Sequence, residues 1–318
     1  MKVLQVSTGY TDGRIEKELI EAAGGEYRMI GEETDEAILA GGRDTDVLLI
    51  ALTKVSKNVI SQMENLKLIV RAGIGVDNID LDAAKEKGVH VCNLPHYCQD
   101  EVADDAVAMI LALERQLFPQ VRDMRAGMWN PVKTYKPIRG LADTTVGFIG
   151  CGGIARKAMA RLKPFGVRCI GYDPYLPAAV AESLGLELVS LDDLLHKSDY
   201  VSLHVPLTAE TRGVLNADSM KKMKKTACII NTARGPLVDN DALYAALEAG
   251  EIRGAGLDVI DGDLEGAKRF AAFENVLITP HTAYYSARSD YNIRAQAGGL
   301  VAQFIGVGGG GYWDGRCG

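Results

Sequence analysis

No stretch of this chain stays apolar for the roughly 18 to 20 residues that a membrane-spanning helix needs. The N-terminal run MKVLQVSTGYTDGRIEKEL turns polar after six residues, which is too soon for a secretory leader. Cationic excess is missing as well: 35 Lys and Arg against 42 Asp and Glu leave a net charge of -7. Neither nucleic acid nor an anionic membrane surface is therefore an expected partner. Paired cysteines of the CxxC kind are absent. The six cysteines, Cys92, Cys98, Cys151, Cys169, Cys228 and Cys317, mostly sit in apolar, strand-like runs where a thiol behaves as a small hydrophobe. That usage suits a reducing compartment, and the chain reads as cytoplasmic. No internal repeat of fixed period runs along it.

What is present is ordinary globular material. With 318 residues, 47% of them hydrophobic and 24% charged, the chain can bury a sizeable core and favours two domains over one. Short apolar runs alternate with segments of helical period throughout, the signature of an α/β fold with parallel sheets. KVLQV, DVLLIAL, LKLIV and GVHVCN form a first block of strands. The stretch from Asp100 to Gly127 reads as one long linking helix, with Val102, Ala106, Met109, Ile110 and Leu113 at helical spacing. A denser series follows, TVGFIG, VRCIGYD, DYVSLHVP, ACIINTARG, GAGLDV and NVLITPH, and looks like a complete doubly wound domain. A last helical run, Ser286 to Gly306, leads into GVGGGGYWDGRCG, whose glycines predict a flexible tail.

TVGFIGCGGIARKAMARL places Gly150, Gly152 and Ala155 in a G-x-G-x-x-A pattern between a strand and a helix. There Gly150 permits the tight turn, Gly152 admits a pyrophosphate to the backbone N–H groups at the helix start, Gly153 and Ile154, and Ala155 allows close helix–strand packing. Asp173 ends the next strand, where an acid accepts hydrogen bonds from a ribose. It would also repel a 2'-phosphate, and no Lys or Arg follows in PYLPAAV, so NAD is expected rather than NADP. In SLHVPLT, His204 ends a strand on the cofactor side, where it either lines the adenine pocket or caps the strand; Pro206 follows as a second candidate contact.

Reduction of a 2-keto acid by a nicotinamide needs a cation for the carboxylate–carbonyl pair, a proton donor, and a group that tunes the donor. Arg234 in INTARGPLVD lies just past a strand end and has the planar fork that suits a carboxylate. Among five histidines, His90 and His196 suit core or solvent roles and His96 is undecided. His281 in NVLITPHTAYYS follows a strand end behind the stiffening Pro280 and is the best candidate for the acid.

In their order and spacing, the glycine fingerprint with Asp173, HVPLT, NTARG, GLDV and NVLITPHTA resemble the D-2-hydroxyacid dehydrogenase family, and RAGIGVDNID (Arg71 to Asp80) is similar to its substrate-domain signature. The resemblance implies a Rossmann-type NAD domain, residues 100–286, and a smaller flavodoxin-like α/β substrate domain made of residues 1–99 and 287–318. It implies that Arg234 binds the keto acid, that His281 moves the proton, and that an acid raises the His281 pKa. It also implies that N–H groups around Ile74 and Gly75 hold the substrate carboxylate, that Tyr97 borders the pocket, that Thr232 and Asp258 contact the nicotinamide amide, and that the long helix is a dimer element.

One position departs from the family pattern. Asp263 stands where the family has Glu, one methylene or roughly 1.5 Å shorter in reach; Glu265 and Asp261 are alternatives. Within the acid-rich GLDVIDGDLEG, DGDLEG from Asp261 also resembles a calcium loop at positions 1, 3, 5 and 6, but Ala272 occupies position 12, where Glu is needed, so no metal is expected. Competing readings are a non-catalytic NAD-sensing corepressor, whose linker YCQDEVADDAVAMILAL resembles, and formate dehydrogenase, against which Asp263 argues. Only a short tail follows the last helix, so a phosphoglycerate dehydrogenase with a regulatory C-terminal domain is not expected. Pocket walls are expected from the Tyr10 region, Ile74, Tyr97, Tyr284 and Tyr285.

Overall fold

The computed structural model describes residues 1–6, 12–129, 135 and 138–308. The Tyr10 region and the glycine-rich tail beyond Gly308 lie outside the described residues. The chain forms two compact units, Met1–Cys98 with Tyr285–Gly318, and Gln99–Tyr284.

The first unit is a five-stranded parallel sheet in the order β2-β1-β3-β4-β5. Its strands are β1 (Lys2–Val6), β2 (Glu26–Ile30), β3 (Val47–Ile50), β4 (Leu68–Arg71) and β5 (His90–Cys92), joined by α1 (Arg14–Ala22), α2 (Asp35–Gly42), α3 (Lys57–Gln62) and α4 (Leu81–Lys87). This is the flavodoxin-like strand order. β3 and β4 are buried along their whole length, as central parallel strands covered on both faces must be. The closing helix Ala287–Gly306 starts in a capping box made by Ser286 and Ser289. Its Arg294 reaches α1, pairing with Glu16 and Asp12.

The second unit begins with α5 (Gln99–Glu114) and α6 (Leu117–Arg125). The single long helix expected from Asp100 to Gly127 is thus two: Gln116 takes the left-handed conformation, φ 50°. Pro119 accounts for the break, because its ring would clash with the carbonyl four residues back, at Arg115, if the helix ran on. Then follow β6 (Thr145–Ile149), α7 (Gly153–Leu162), β7 (Arg168–Tyr172), α8 (Ala178–Ser183), β8 (Glu187–Leu188), α9 (Leu191–Lys197), β9 (Tyr200–Leu203), α10 (Ala217–Lys221), β10 (Cys228–Asn231), α11 (Asn240–Glu248), β11 (Gly254–Leu257), α12 (Asp263–Lys268) and β12 (Val276–Ile278).

Its seven parallel strands lie in the order β12-β11-β10-β9-β6-β7-β8. The direction of winding reverses between β6 and β9, which is where such sheets open a ligand crevice at their carboxyl ends. One core, with Leu203, Ile229 and Leu257, packs on one side of this sheet, and a second, with Met109, Phe148 and Ile230, on the other. The four cysteines Cys98, Cys151, Cys169 and Cys228 are free and lie buried or half-buried. Among the described residues, no helix is long and apolar enough to cross a membrane.

Candidate functional site

The strand register of the second unit aligns Ile149, Leu203, Asn231, Leu257 and Ile278 in one row across β6, β9, β10, β11 and β12. The next residue on each strand is Gly150, His204, Thr232, Asp258 or Thr279. Four of the expected site residues therefore emerge side by side along the carboxyl edge of the sheet.

At the switch point Gly150 has φ 87°, and a methyl group there would come within 2.6 Å of the His204 carbonyl oxygen. Only glycine fits this turn. Gly152 caps α7 without a side-chain partner, and the space where its Cβ would lie is open to beyond 4 Å. The first N–H groups of the helix, from Gly153 and Ile154, are thus left to an external anion. Asp173 accepts from the Cys151 N–H through Oδ2 and from the Tyr175 N–H through Oδ1, both at 2.9 Å, so it steadies the glycine turn from the neighbouring strand. His204 stacks on Phe148 at 5.5 Å and shares a 2.8 Å hydrogen bond with Ser202 Oγ. Burial pushes its imidazole down to about 4, so at neutral pH it is an uncharged wall. Pro206 follows in the same loop and accepts from Thr211 Oγ1 at 2.7 Å.

Thr232, 9% exposed, has an Oγ1 that is buried without a hydrogen-bond partner. Such an orphan costs about 1 to 3 kcal/mol unless a ligand satisfies it. With the anion cradle of α7, it gives the crevice the polar groups that a dinucleotide would use. Arg234 follows two residues on. Asn231 brackets that turn, donating to the Arg234 carbonyl at 2.8 Å and accepting from the Ala233 N–H at 3.1 Å. Gly235 brings the turn against the next loop, since a Cβ there would lie 2.3 Å from the Ile260 carbonyl carbon.

Asp258 is 2% exposed and organises the loop that carries His281. Its Oδ1 accepts from Thr279 Oγ1 at 2.6 Å and the Thr282 N–H at 2.8 Å, its Oδ2 from the Ala283 N–H at 3.0 Å, and its carbonyl from the His281 N–H at 2.8 Å. These bonds hold His281 at φ 55°, a conformation that costs a non-glycine residue about 1 kcal/mol or more. The edge of Tyr284 meets the imidazole at 6.0 Å.

Asp263 stands apart from this group. It opens α12 at φ 47°, exposed to solvent, and its carboxylate makes no hydrogen bond or ion pair among the described residues. Glu265 is engaged by Lys268 at 2.5 Å, and Asp261 is exposed. Among the described residues no cluster of metal-ligating side chains occurs. In the first unit, Ile74 and Gly75 lie in the loop after β4. Asn93 Nδ2 donates to the Ile74 carbonyl at 2.6 Å, and the Leu94 N–H to Gly73 at 2.8 Å. Tyr97 is 7% exposed. Asn93, Asn231 and Thr279 were not singled out from sequence; the signal for Asn231 and Thr279 is their place at the aligned strand ends.

The family model described as "D-isomer specific 2-hydroxyacid dehydrogenase, NAD binding domain" matches residues 107–283. The chain belongs to the D-2-hydroxyacid dehydrogenase family. The matched segment lies within the second unit, which is therefore the family's Rossmann-type NAD-binding domain. The chain is 41% identical over 283 residues to a D-3-phosphoglycerate dehydrogenase of Methanocaldococcus jannaschii, covering 88% of this chain and 53% of that protein. It therefore spans about half the length of that relative. It is 37% identical over 270 residues to a hydroxypyruvate reductase of Thermotoga maritima, covering 83% of this chain and 86% of the other. A D-lactate dehydrogenase of Aquifex aeolicus, solved with NAD and lactic acid, superposes with a TM-score of 0.88 at 29% identity, over 96% of this chain and 97% of that one.

Proposed function

We propose that this protein interconverts a small 2-keto acid and its D-2-hydroxy acid with NAD(H). The observation that carries this reading is the row of strand ends, which sets an anion cradle, the orphan hydroxyl of Thr232 and the His281 loop along one sheet edge. NADH, when bound, supplies the hydride. Gly150, Gly152, Gly153 and Ile154 take the pyrophosphate, Asp173 and the walls at His204 and Pro206 take the adenosine half, and Thr232 and Asp258 lie at the nicotinamide. Arg234 binds the keto acid carboxylate and polarises its carbonyl. His281 gives its proton to the carbonyl oxygen during reduction and takes it back during oxidation, a role worth about 10² to 10⁴ in rate. In the smaller unit we assign the Ile74–Gly75 loop and Tyr97 to the substrate.

For the acid that tunes His281 we assign Asp263, because Lys268 already neutralises Glu265. NADP is disfavoured by Asp173, since its 2'-phosphate would approach that carboxylate at a cost of roughly 1 to 4 kcal/mol. The exposed apolar residues of α6, Leu117, Phe118, Val121 and Met124, support a homodimer, and the net charge of -7 supports a protein with no nucleic-acid or membrane partner.

The test is an NADH-oxidation screen over pyruvate, hydroxypyruvate, glyoxylate, oxaloacetate and branched 2-keto acids, with NADPH as control. Hydroxypyruvate and glyoxylate come first, because relatives are named hydroxypyruvate reductase and glyoxylate reductase. Turnover with NADH that falls at least tenfold with NADPH is expected. Tight NADH binding without turnover on any of them overturns the enzymatic reading in favour of an NAD sensor.

A further inference from the structure

Two contacts fix how α5 lies on β11. At one end Glu114 pairs with Arg253, the residue before the strand, at 2.8 Å. In the middle, a Cβ on Gly256 would stand 3.1 Å from the side chain of Met109. The helix thus runs antiparallel along the strand. Two residues further along β11, on the same face of the sheet, comes Asp258; one turn back along α5, on the same face of the helix, comes Asp105. Two strand residues advance about 6.6 Å and four helix residues about 6 Å. Asp105 is therefore brought to Asp258.

The pair is unequal. The Asp258 carboxylate already accepts three hydrogen bonds from the loop it holds, whereas Asp105 Oδ2 is enclosed without a hydrogen-bond partner. Burial and then the Asp258 charge push the Asp105 carboxyl up to about 6. The basic side chains of α7 near this stretch of α5 are engaged elsewhere. On α7, Lys157 pairs with Asp100, Arg161 with Asp100 and Asp104, and Arg156 bonds the Cys151 carbonyl. On β10 the titratable Cys228 lies at the opposite end, beside Arg253.

We propose that Asp105 is a positioning residue for the reaction proposed above, a second carboxylate that acts through Asp258 on the loop carrying His281. Ionised, it adds a negative charge behind that loop and favours the imidazolium; protonated, it withdraws the charge and its hydroxyl can donate to Asp258. His281 therefore works in a field that depends on pH. This inference rests on His281 being the proton donor, but its central measurement does not require turnover.

The full chain, with and without NAD, is followed by NMR of its histidine rings, His281 being assigned by the resonance lost in His281→Gln. Asp105→Asn is expected to lower the titration midpoint of His281 by about 0.5 to 1 pH unit. The pH at which NADH oxidation falls off should move with it. Asp104→Asn, one residue away and paired with Arg161, should leave both unchanged. Should Asp105→Asn fail to fold, Asp105→Ser removes the same charge and is expected to shift the midpoint the same way. An unchanged midpoint in a folded charge-free variant overturns the proposal. Lack of wild-type turnover on every 2-keto acid would instead sink the assigned reaction and leave the Asp105–His281 coupling to be judged by NMR alone.

Discussion

Asp258 shows why single residues in this site are only partly legible. An acid at a strand end, in GLDV, reads as a ligand contact, and the resemblance gives it to the nicotinamide. In the folded chain its carboxylate receives three donors from residues 279–283, so it also builds the loop for His281. Those donors come from more than twenty residues away, and no local pattern announces them. Asp263 is the opposite case. The resemblance puts the tuning acid at its position, yet its carboxylate lies exposed and without a partner among the described residues. If Asp263 is that acid, Asp263→Asn removes a charge that favours the imidazolium, and the fall in reduction with rising pH comes at lower pH. Rate profiles at saturating NADH check this. An unaltered profile, together with a shifted one in Glu265→Gln, would transfer the role to Glu265.

Among the elements, the central strands were all legible, but of the four edge strands only β5 and β12 were, and β2 and β8 were not. DVLLIAL announces itself because β3 is buried along its whole length and its residues are continuously apolar. β2, with its sequence EYRMI, is mostly exposed or half-buried, and β8 is two residues long; on the rim of a sheet neither needs an apolar signature. The helix break at Gln116 was written in Pro119, but helical periodicity on both sides masked it. The end of α5 carries a further consequence. Glu114 is fully buried and receives Arg139, Arg253 and the Tyr200 hydroxyl. Burial alone would raise its carboxyl, but the Arg139 hydrogen bonds, Tyr200 and the Arg253 charge outweigh that and hold it at about 2. Because its folded pKa is depressed, its contribution is complete above its unfolded pKa of 4.5 and is lost as pH falls toward 2. Glu114→Ala leaves two guanidinium groups half-buried with one partner fewer, and should cost about 3 to 5 kcal/mol at pH 7 in urea unfolding. A loss under about 1 kcal/mol would mean that solvent already screens this network.

For the whole molecule, the opposite edge of the NAD-binding sheet bears on assembly. A cleft of about 760 Å³ there is lined by Leu113, Phe118, Arg253, Phe273 and Val276 among others, at the strands' amino ends and therefore away from the cofactor edge. Beside it α6 exposes Leu117, Phe118, Val121 and Met124, each about half accessible. Spaced one helical turn apart or adjacent, these residues form one apolar stripe, which a monomer in water rarely leaves open. A second copy is the partner that needs no other gene product, and a two-fold contact would let each copy's stripe cover the other's. The chain mass is 34.2 kDa. Light scattering after gel filtration at micromolar concentration should give about twice that value. Phe118→Glu combined with Val121→Glu places two charges in the stripe and should return the monomer mass while NADH binding at the far edge persists. A wild-type protein that elutes as a monomer across this range would overturn the dimer, and would leave α6 as a surface for some other partner.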